Sequence, residues 1–445
     1  MNRVLIIADD LTGANDAGVQ FVKQGFETLS LLTMQEKEDN HKADVLVFNA
    51  ETRSMESVKA YQKMKAISES FSLSRFPFVY KKIDSTMRGN IGSEIDALLD
   101  RGIFDIAVVL PAYPKNGRIT IGGYHLVNGC LLEDSEIARD PKSPVTESHL
   151  PTLLSSQSGR AVGHIDIREI RKRQVLERIH ECIQRDERII VFDSCLQDDL
   201  KSITNALLES GLQAIWVGSA GLAESLSEEI KPPSIQTFNR IKDSVTKGNL
   251  PVFTIAGSVS VITKTQVQAL TEQSGFQKIL ANPLLLLDDD HRVQEIVRLT
   301  ETINDVIRKG YSPVLTTDAS YHVMQELHIL REAAGKSSME VGNTIAESLG
   351  KVGASIVTSQ NIAGLILTGG DIAYRTCKQI GVEALRIVDE VEEGIPLCEI
   401  LGGRVNGLPV VTKAGAFGDT NSLVHAVEKI QKYNNGGYLC LLQNG

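Results

Sequence analysis

Two short segments concentrate the residues best suited to acid–base and anion chemistry. The first is Ala8-Asp9-Asp10-Leu11-Thr12-Gly13-Ala14-Asn15-Asp16, where an apolar strand-like run gives way to an amphipathic stretch. In open α/β sheets ligands bind outside the carboxyl ends of the strands, so carboxylates at such a junction face a crevice. Adjacent Asp residues on extended chain direct their side chains to opposite sides, so one of the two is expected to reach a given ligand. A plainer role, capping the next helix, needs only one oxygen from Asp10 or Thr12. The second segment, Tyr80-Lys81-Lys82-Ile83-Asp84-Ser85-Thr86-Met87-Arg88-Gly89-Asn90, also follows a strand-like run and crowds cations, an acid and hydroxyls into one turn. Lys82 and Arg88 suit a carboxylate or phosphate, and Arg can grip one bidentately. Asp84 suits orienting or deprotonating a hydroxyl. The plainer alternative is a solvated loop with a Ser or Thr cap. Against it, basic residues gather at a crevice edge of an acidic chain. Arg53 adds a cation at the same edge, although a lone Arg more often sits on a surface.

Three glycine-bearing turns in the second half suit a different ligand. They are Ala256-Gly257-Ser258-Val259-Ser260, Thr368-Gly369-Gly370-Asp371, and Lys413-Ala414-Gly415-Ala416-Phe417-Gly418-Asp419, each after a strand-like run. Glycine lets backbone N–H groups approach phosphate oxygens, and helix N-termini add positive potential. One such turn is ordinary punctuation. Three in one half point to a nucleotide. Neither GxxxxGK[ST] nor GxGxxG occurs, which removes support from P-loop and dinucleotide-binding folds. Gly218-Ser219-Ala220-Gly221 lacks the GxSxG spacing of a nucleophile elbow. No histidine is placed to serve as a general base, and His125 reads as structural, so a Ser–His hydrolase is unsupported.

The elements that must position these residues alternate regularly. Val4–Ala8, Val45–Phe48, Phe78–Lys81, Ile106–Leu110, Arg188–Asp193 and Ala214–Val217 read as strands, and most of these are apolar throughout, as in a parallel sheet covered on both faces. Ala14–Gln24, Ser57–Ser70, Ile91–Leu99, Arg168–Gln184 and Gly221–Glu229 read as helices between them. Ile119–Leu132, with Gly122-Gly123 and Asn128-Gly129, reads as a short antiparallel excursion. The second half repeats the alternation, with strands Val252–Ala256, Pro313–Thr316, Gly364–Thr368 and Leu408–Val411. Its helices are Gln266–Gln273, Arg292–Arg308, Ile345–Val357 and Ala373–Ile380. The expected fold is α/β, in two α/β domains with mostly parallel sheets and an active site in the interdomain cleft. At 445 residues the chain exceeds what one core usually organises. The domains are placed at 1–230 and 251–445, joined by a linker at 231–250 that begins Lys231-Pro232-Pro233.

Composition narrows the partners. A net charge of −10 argues against nucleic acid and acidic membranes. Six scattered cysteines form no CxxC pair and read as reduced thiols. The N-terminal apolar run is too short for a signal peptide, and no stretch reaches the roughly 20 apolar residues of a membrane span. A cytoplasmic enzyme is expected.

At these same residues the sequence resembles the four-carbon acid sugar kinase family. IIADDLTGANDAG, KKIDSTMRGNIGSE and WVGSAGLA resemble its sugar-acid-binding domain, and AGSVS, LTGGDIA and VTKAGAFGD its nucleotide-binding domain. The resemblance covers nearly the whole chain. It implies transfer of a phosphoryl group from ATP to the terminal hydroxyl of threonate, erythronate or 3-oxo-tetronate, D-threonate or D-erythronate being preferred here. It implies sugar-acid contacts at Asp9, Arg53, Lys82, Ile83, Asp84 and Ser85, joined on chemical grounds by Arg88. It implies ATP contacts at Ser258, Gly369, Gly370, Asp371, Ile372 and Gly415. Mg²⁺ is expected to bridge the phosphates, mostly through water, with its protein ligands unassigned. Asp84 or Asp9 is the expected base. The partners are then the sugar acid and ATP, with a homo-oligomer left open. Two other classes share the layout. An NAD-dependent sugar-acid dehydrogenase lacks its fingerprint, and a non-catalytic sugar-acid sensor has no need of three phosphate-type turns.

Overall fold

A computed structural model describes residues 3–33, 43–140, 143–232, 250–257 and 260–436. The chain divides into two compact units, 1–233 and 234–445. Most of the expected linker, 233–249, lies outside the described residues.

The strands of the first unit are β1 (Val4–Ala8), β2 (Thr28–Leu31), β3 (Val45–Asn49), β4 (Phe78–Lys82), β5 (Ile106–Leu110), β6 (Arg118–Ile121), β7 (Tyr124–Val127), β8 (Cys130–Leu131), β9 (Val162–Ile165), β10 (Ile189–Phe192) and β11 (Ala214–Gly218). Eight of them line up as β2-β3-β1-β4-β11-β5-β10-β9, every pairing parallel. The order follows from burial. β1, β3 and β5 are buried at every position, so helices must cover both faces, and helical crossovers join parallel neighbours. Val4, Ile6, Val45, Val47, Tyr80, Val108 and Trp216 pack on one face with Phe21, Leu222 and Leu226 of the covering helices. Each such side chain contributes about 1.5–3 kcal/mol on burial. The expected antiparallel excursion is present as β6-β7-β8.

The second unit contains β12 (Val252–Ala256), β13 (Phe276–Ala281), β14 (Ser312–Thr317), β15 (Gly364–Thr368), β16 (Ala384–Glu392), β17 (Ile395–Leu401) and β18 (Pro409–Lys413), in the order β13-β14-β12-β15-β18-β17-β16. The first five are parallel, and β17 runs antiparallel to both its neighbours.

Local signals account for the differences from the sequence reading. The helix expected at Ala14 begins at Leu11, because Asp10 accepts the Gly13 N–H at 2.9 Å and caps the helix Leu11–Lys23. The single helix expected over Arg168–Gln184 is two, Ile167–Arg171 and Val175–Gln184. Arg173, with φ of 60°, breaks the run. The strand expected at Leu408–Val411 is Pro409–Lys413, which brings Lys413 into the sheet.

Candidate active site

In both units the chain leaves the first strand for one side of the sheet and later crosses to the other. β1 lies between β3 and β4, and β12 lies between β14 and β15. The carboxyl ends flanking such a reversal open a crevice, and the residues of interest sit there.

In the first unit, register sets the cluster. Ala8 pairs with Asn49 on one side and Lys82 on the other, so Asp9, the 50–53 turn and the 82–88 turn emerge side by side. Arg53 donates from Nε and Nη2 to Asp9, both at 2.9 Å, and from Nη1 and Nη2 to Asp10 at 2.9 and 2.7 Å. Both aspartates therefore reach one guanidinium, which presents two hydrogen-bonding edges. Asp10 still caps its helix. Burial works to raise the Asp9 carboxyl, but Arg53, helped by Lys81 and Lys82, outweighs it and holds the group below its ordinary value.

Asp84 is clamped in the same manner. Arg88 donates to its two oxygens at 2.6 and 3.3 Å, and the Thr86 hydroxyl donates as well. Against the cost of burial, the charges of Arg88 and Arg53 depress the carboxyl far below the ordinary carboxylate range. Arg88 also reaches Asp140 at 2.9 Å. Ser85 is fixed from behind, since His125 Nε2 lies 2.8 Å from its carbonyl and Nδ1 lies 3.0 Å from the Thr120 hydroxyl. A carbonyl only accepts, so Nε2 carries the proton. Burial pushes this imidazole down to about 4, so the ring is neutral and positions rather than reacts. Ile83 is buried, and its carbonyl accepts from Lys82 Nζ at 2.9 Å.

Lys81 and Lys82 alternate across the strand. Lys81 is fully buried against Glu94, Nζ to Oε2 2.5 Å. Lys82 approaches the first turn of the helix Leu11–Lys23, where a Cβ on Gly13 would stand 2.9 Å from Nζ. Among the described residues Lys82 forms no ion pair, whereas Lys81 pairs with one carboxylate and Arg53 and Arg88 with two each. The sequence reading missed Glu94 and Asp140. Two consecutive lysines ending a buried strand were the signal for Glu94, since alternation drives one into the core, where it requires an acid. No local signal marks Asp140.

In the second unit, Ala256 pairs with Thr368, and Thr368 with Lys413, so the three glycine turns emerge from adjacent strands. Gly257 packs on Ile372, whose Cδ1 would lie 2.5 Å from a Cβ there. Gly369, at φ 104°, precedes the helix Gly370–Ile380 and donates its N–H to the Lys413 carbonyl at 2.7 Å. Gly370 and Asp371 begin that helix. The Gly415 carbonyl accepts from Ser260 at 2.8 Å and Thr263 at 2.9 Å. Ser258 lies outside the described residues.

Among the described residues of this unit, one group of side chains has the geometry to hold a cation. Ligand atoms of Glu392, Asp419 and His425 lie within 4.8 Å of one another. Both Glu392 oxygens already accept, from Ser422 and His425. With one histidine and a committed carboxylate, the group fits Mg²⁺ poorly, since that ion prefers oxygen and water. Among the described residues no helix is long and apolar enough to cross a membrane.

The two units match two family models, a sugar-binding N-terminal domain over residues 4–226 and a nucleotide-binding C-terminal domain over residues 253–423. The chain is 34% identical over 432 residues to a D-threonate kinase of Salmonella typhimurium, covering 97% of this chain and 99% of that protein. It is 29% identical over 447 residues to a D-erythronate kinase of Heliobacterium modesticaldum, covering 98% and 99%. A crystal structure of a Salmonella typhimurium LT2 protein shares the fold with a TM-score of 0.77, at 23% identity, over 96% of this chain and 100% of that one. With both domain models matched in order and a relative this similar along nearly its full length, the chain belongs to the four-carbon acid sugar kinase family.

Proposed function

We propose that the protein transfers the terminal phosphoryl group of ATP to the terminal hydroxyl of a four-carbon sugar acid, D-threonate or D-erythronate. The observation that carries this reading is the convergence of three glycine turns at the ends of adjacent strands β12, β15 and β18 in a chain whose other unit gathers charged side chains. The relatives named D-threonate kinase and D-erythronate kinase support the choice of acceptor.

The sugar-acid carboxylate goes to Lys82, the cation of its cluster with donors to spare, beside the positive first turn of the helix Leu11–Lys23. Arg53 and Arg88, committed to aspartates, hold those carboxylates in place instead. Asp84 and Asp9 then accept hydrogen bonds from substrate hydroxyls, and one of them takes the proton of the attacking hydroxyl. Their depressed basicity suits a transition state that is largely dissociative, in which the nucleophile keeps its proton until late. ATP lies on the turns at Gly257, Gly369–Ile372 and Gly415, with backbone N–H groups toward its phosphates. Mg²⁺ bound with the nucleotide would supply neutralisation of phosphate charge, and no residue of this chain is assigned to hold it. Transfer requires the bound sugar acid and the nucleotide to meet.

The test is ADP release measured with D-threonate, L-threonate, D-erythronate and 3-oxo-tetronate as acceptors. Turnover is expected with one of the D-acids. ADP release at the no-acceptor background with all four sinks the reading.

A further inference from the structure

We infer that Lys413 is a positioning residue for the nucleotide phosphates, which draws the carbonyls of the turn after β18 to one side and so presents that turn's N–H groups on the other. The inference rests on the reading that the triphosphate lies at this turn.

Lys413 ends β18 and is fully buried. Its ammonium donates to the carbonyls of Ala414 at 2.8 Å, Phe417 at 3.0 Å and, more loosely, Gly415 at 3.4 Å. The helix Val261–Thr271 and its cap reinforce the same side. Ser260 and Thr263 donate to the Gly415 carbonyl, and Gln266 Nε2 donates to the carbonyls of Phe417 at 3.0 Å and Asp419 at 2.7 Å.

Planarity supplies the consequence. In a trans peptide the C=O of one residue and the N–H of the next point in opposite directions. With the carbonyls of 414, 415, 417 and 419 drawn inward, the N–H groups of Gly415, Ala416, Gly418 and Thr420 face outward. None of the four donates a hydrogen bond within the described residues. Such a row of outward N–H groups is an anion cradle. Gly418 is needed for the shape, since its φ is +82° and a Cβ there would run into Ser422.

The charge fits the same purpose. Among the described residues Lys413 has no ion-pair partner, and burying an ammonium against neutral carbonyls is costly. An anion on the N–H face offsets that cost, because it lies over the buried positive charge.

The experiment compares full-length Lys413→Met with wild type by calorimetric titration of ATP, tripolyphosphate and adenosine, alongside KM for D-threonate. Loss of a charge-assisted set of bonds predicts a fall of about 10- to 100-fold in affinity for ATP and tripolyphosphate. Adenosine affinity and the sugar-acid KM should stay within about twofold of wild type, which a general loosening of the unit would not produce. Wild-type ATP affinity in a folded Lys413→Met protein overturns the inference. If Lys413→Met fails to fold, Gln266→Met decides. A smaller loss confined to the phosphate-bearing ligands supports the role, and unchanged binding refutes it. If a bulky residue at Gly415 leaves ATP binding intact in the wild-type background, the nucleotide lies elsewhere, and it is the underlying reading that fails.

Discussion

β1 in the first unit and β12 in the second occupy corresponding places, in strand orders β2-β3-β1-β4 and β13-β14-β12-β15. Topology therefore gives both units a crevice at the same address, yet the two are furnished with opposite materials. The first is built from side chains, with Arg53, Lys81, Lys82 and Arg88 set among Asp9, Asp10, Asp84, Glu94 and Asp140. The second is built from main chain, with glycines, carbonyls gathered on one side and N–H groups left on the other. The difference matches the ligands proposed. A four-carbon acid is distinguished by the placement of a few hydroxyls, which calls for fixed side-chain donors and acceptors. A triphosphate presents repeating oxygens, and backbone N–H groups read these without regard to what lies beyond.

The comparison is broken most severely at the buried ion pair beneath the first cluster. Lys81→Met leaves Glu94 buried without its cation and should destabilise the first unit by about 3–5 kcal/mol. Urea unfolding measures this, and Lys81→Met with Glu94→Leu should recover most of the loss. An equal loss in the double variant means that packing, and not the charge pair, holds that site.

Next in size is Asp84→Asn, expected to lower turnover by about 10² or more with little change in KM for ATP. Near-normal turnover would remove Asp84 from the reaction and leave Asp9 as the acceptor of the proton. Either way the effect should stay within the side-chain half.

A matched pair of glycines sharpens the division. Gly89 has φ of +105° with Asp9 Oδ2 and the Arg53 backbone each 3.5 Å from a Cβ, and Gly369 has φ of +104°. Either Gly→Ala change strains the backbone by about 1–3 kcal/mol. Gly89→Ala should raise KM for the sugar acid about tenfold and spare ATP, and Gly369→Ala should do the reverse. If both variants shift both KM values alike, the assignment of one ligand to each unit fails.

How much of this was legible in the sequence follows from the same division. Lys82, Asp84, Gly369 and Gly415 stand in short segments where residue type announces chemistry, whereas Arg53 reads as a lone cation and draws its meaning from the resemblance. What the sequence hid is distance along the chain. Asp140 reaches Arg88 from 52 residues away, and Gln266 reaches the Phe417 carbonyl from 151 away. Edge and antiparallel strands were hidden too. β13 is largely exposed at its sheet edge and lacks the apolar run that marks β12 or β15, and β16–β17 carries acids and register shifts that blur its alternation. Lys413 shows the limit most directly. The sequence places it at the head of the third glycine turn, and nothing local shows that it is buried on that turn's carbonyls.

The smallest effect separates the halves by pH. Asp84 is held far below its unfolded value, so its stabilisation is full well above that unfolded value and is lost progressively as pH falls from there to the depressed one. The first cluster should therefore not change between pH 6 and 9 on its account. Lys413 behaves oppositely. Burial lowers it to about 7, with Glu392 opposing the shift. Between about 7 and its unfolded value near 10.5, the unfolded chain binds the extra proton, so stability rises with pH over that window. Over the same window the amine loses one of its donors and the carbonyls are gripped less well. Affinity for ATP should then weaken a few-fold from pH 6.5 to 8.5 while stability increases, two quantities that ordinarily move together. Bound phosphate opposes the loss by favouring the ammonium, which keeps the effect modest. Titrations of ATP and urea unfolding at the two pH values, on wild type and Lys413→Met, separate these terms. If the variant shows the same pH dependence as wild type in both, the titrating group is not Lys413.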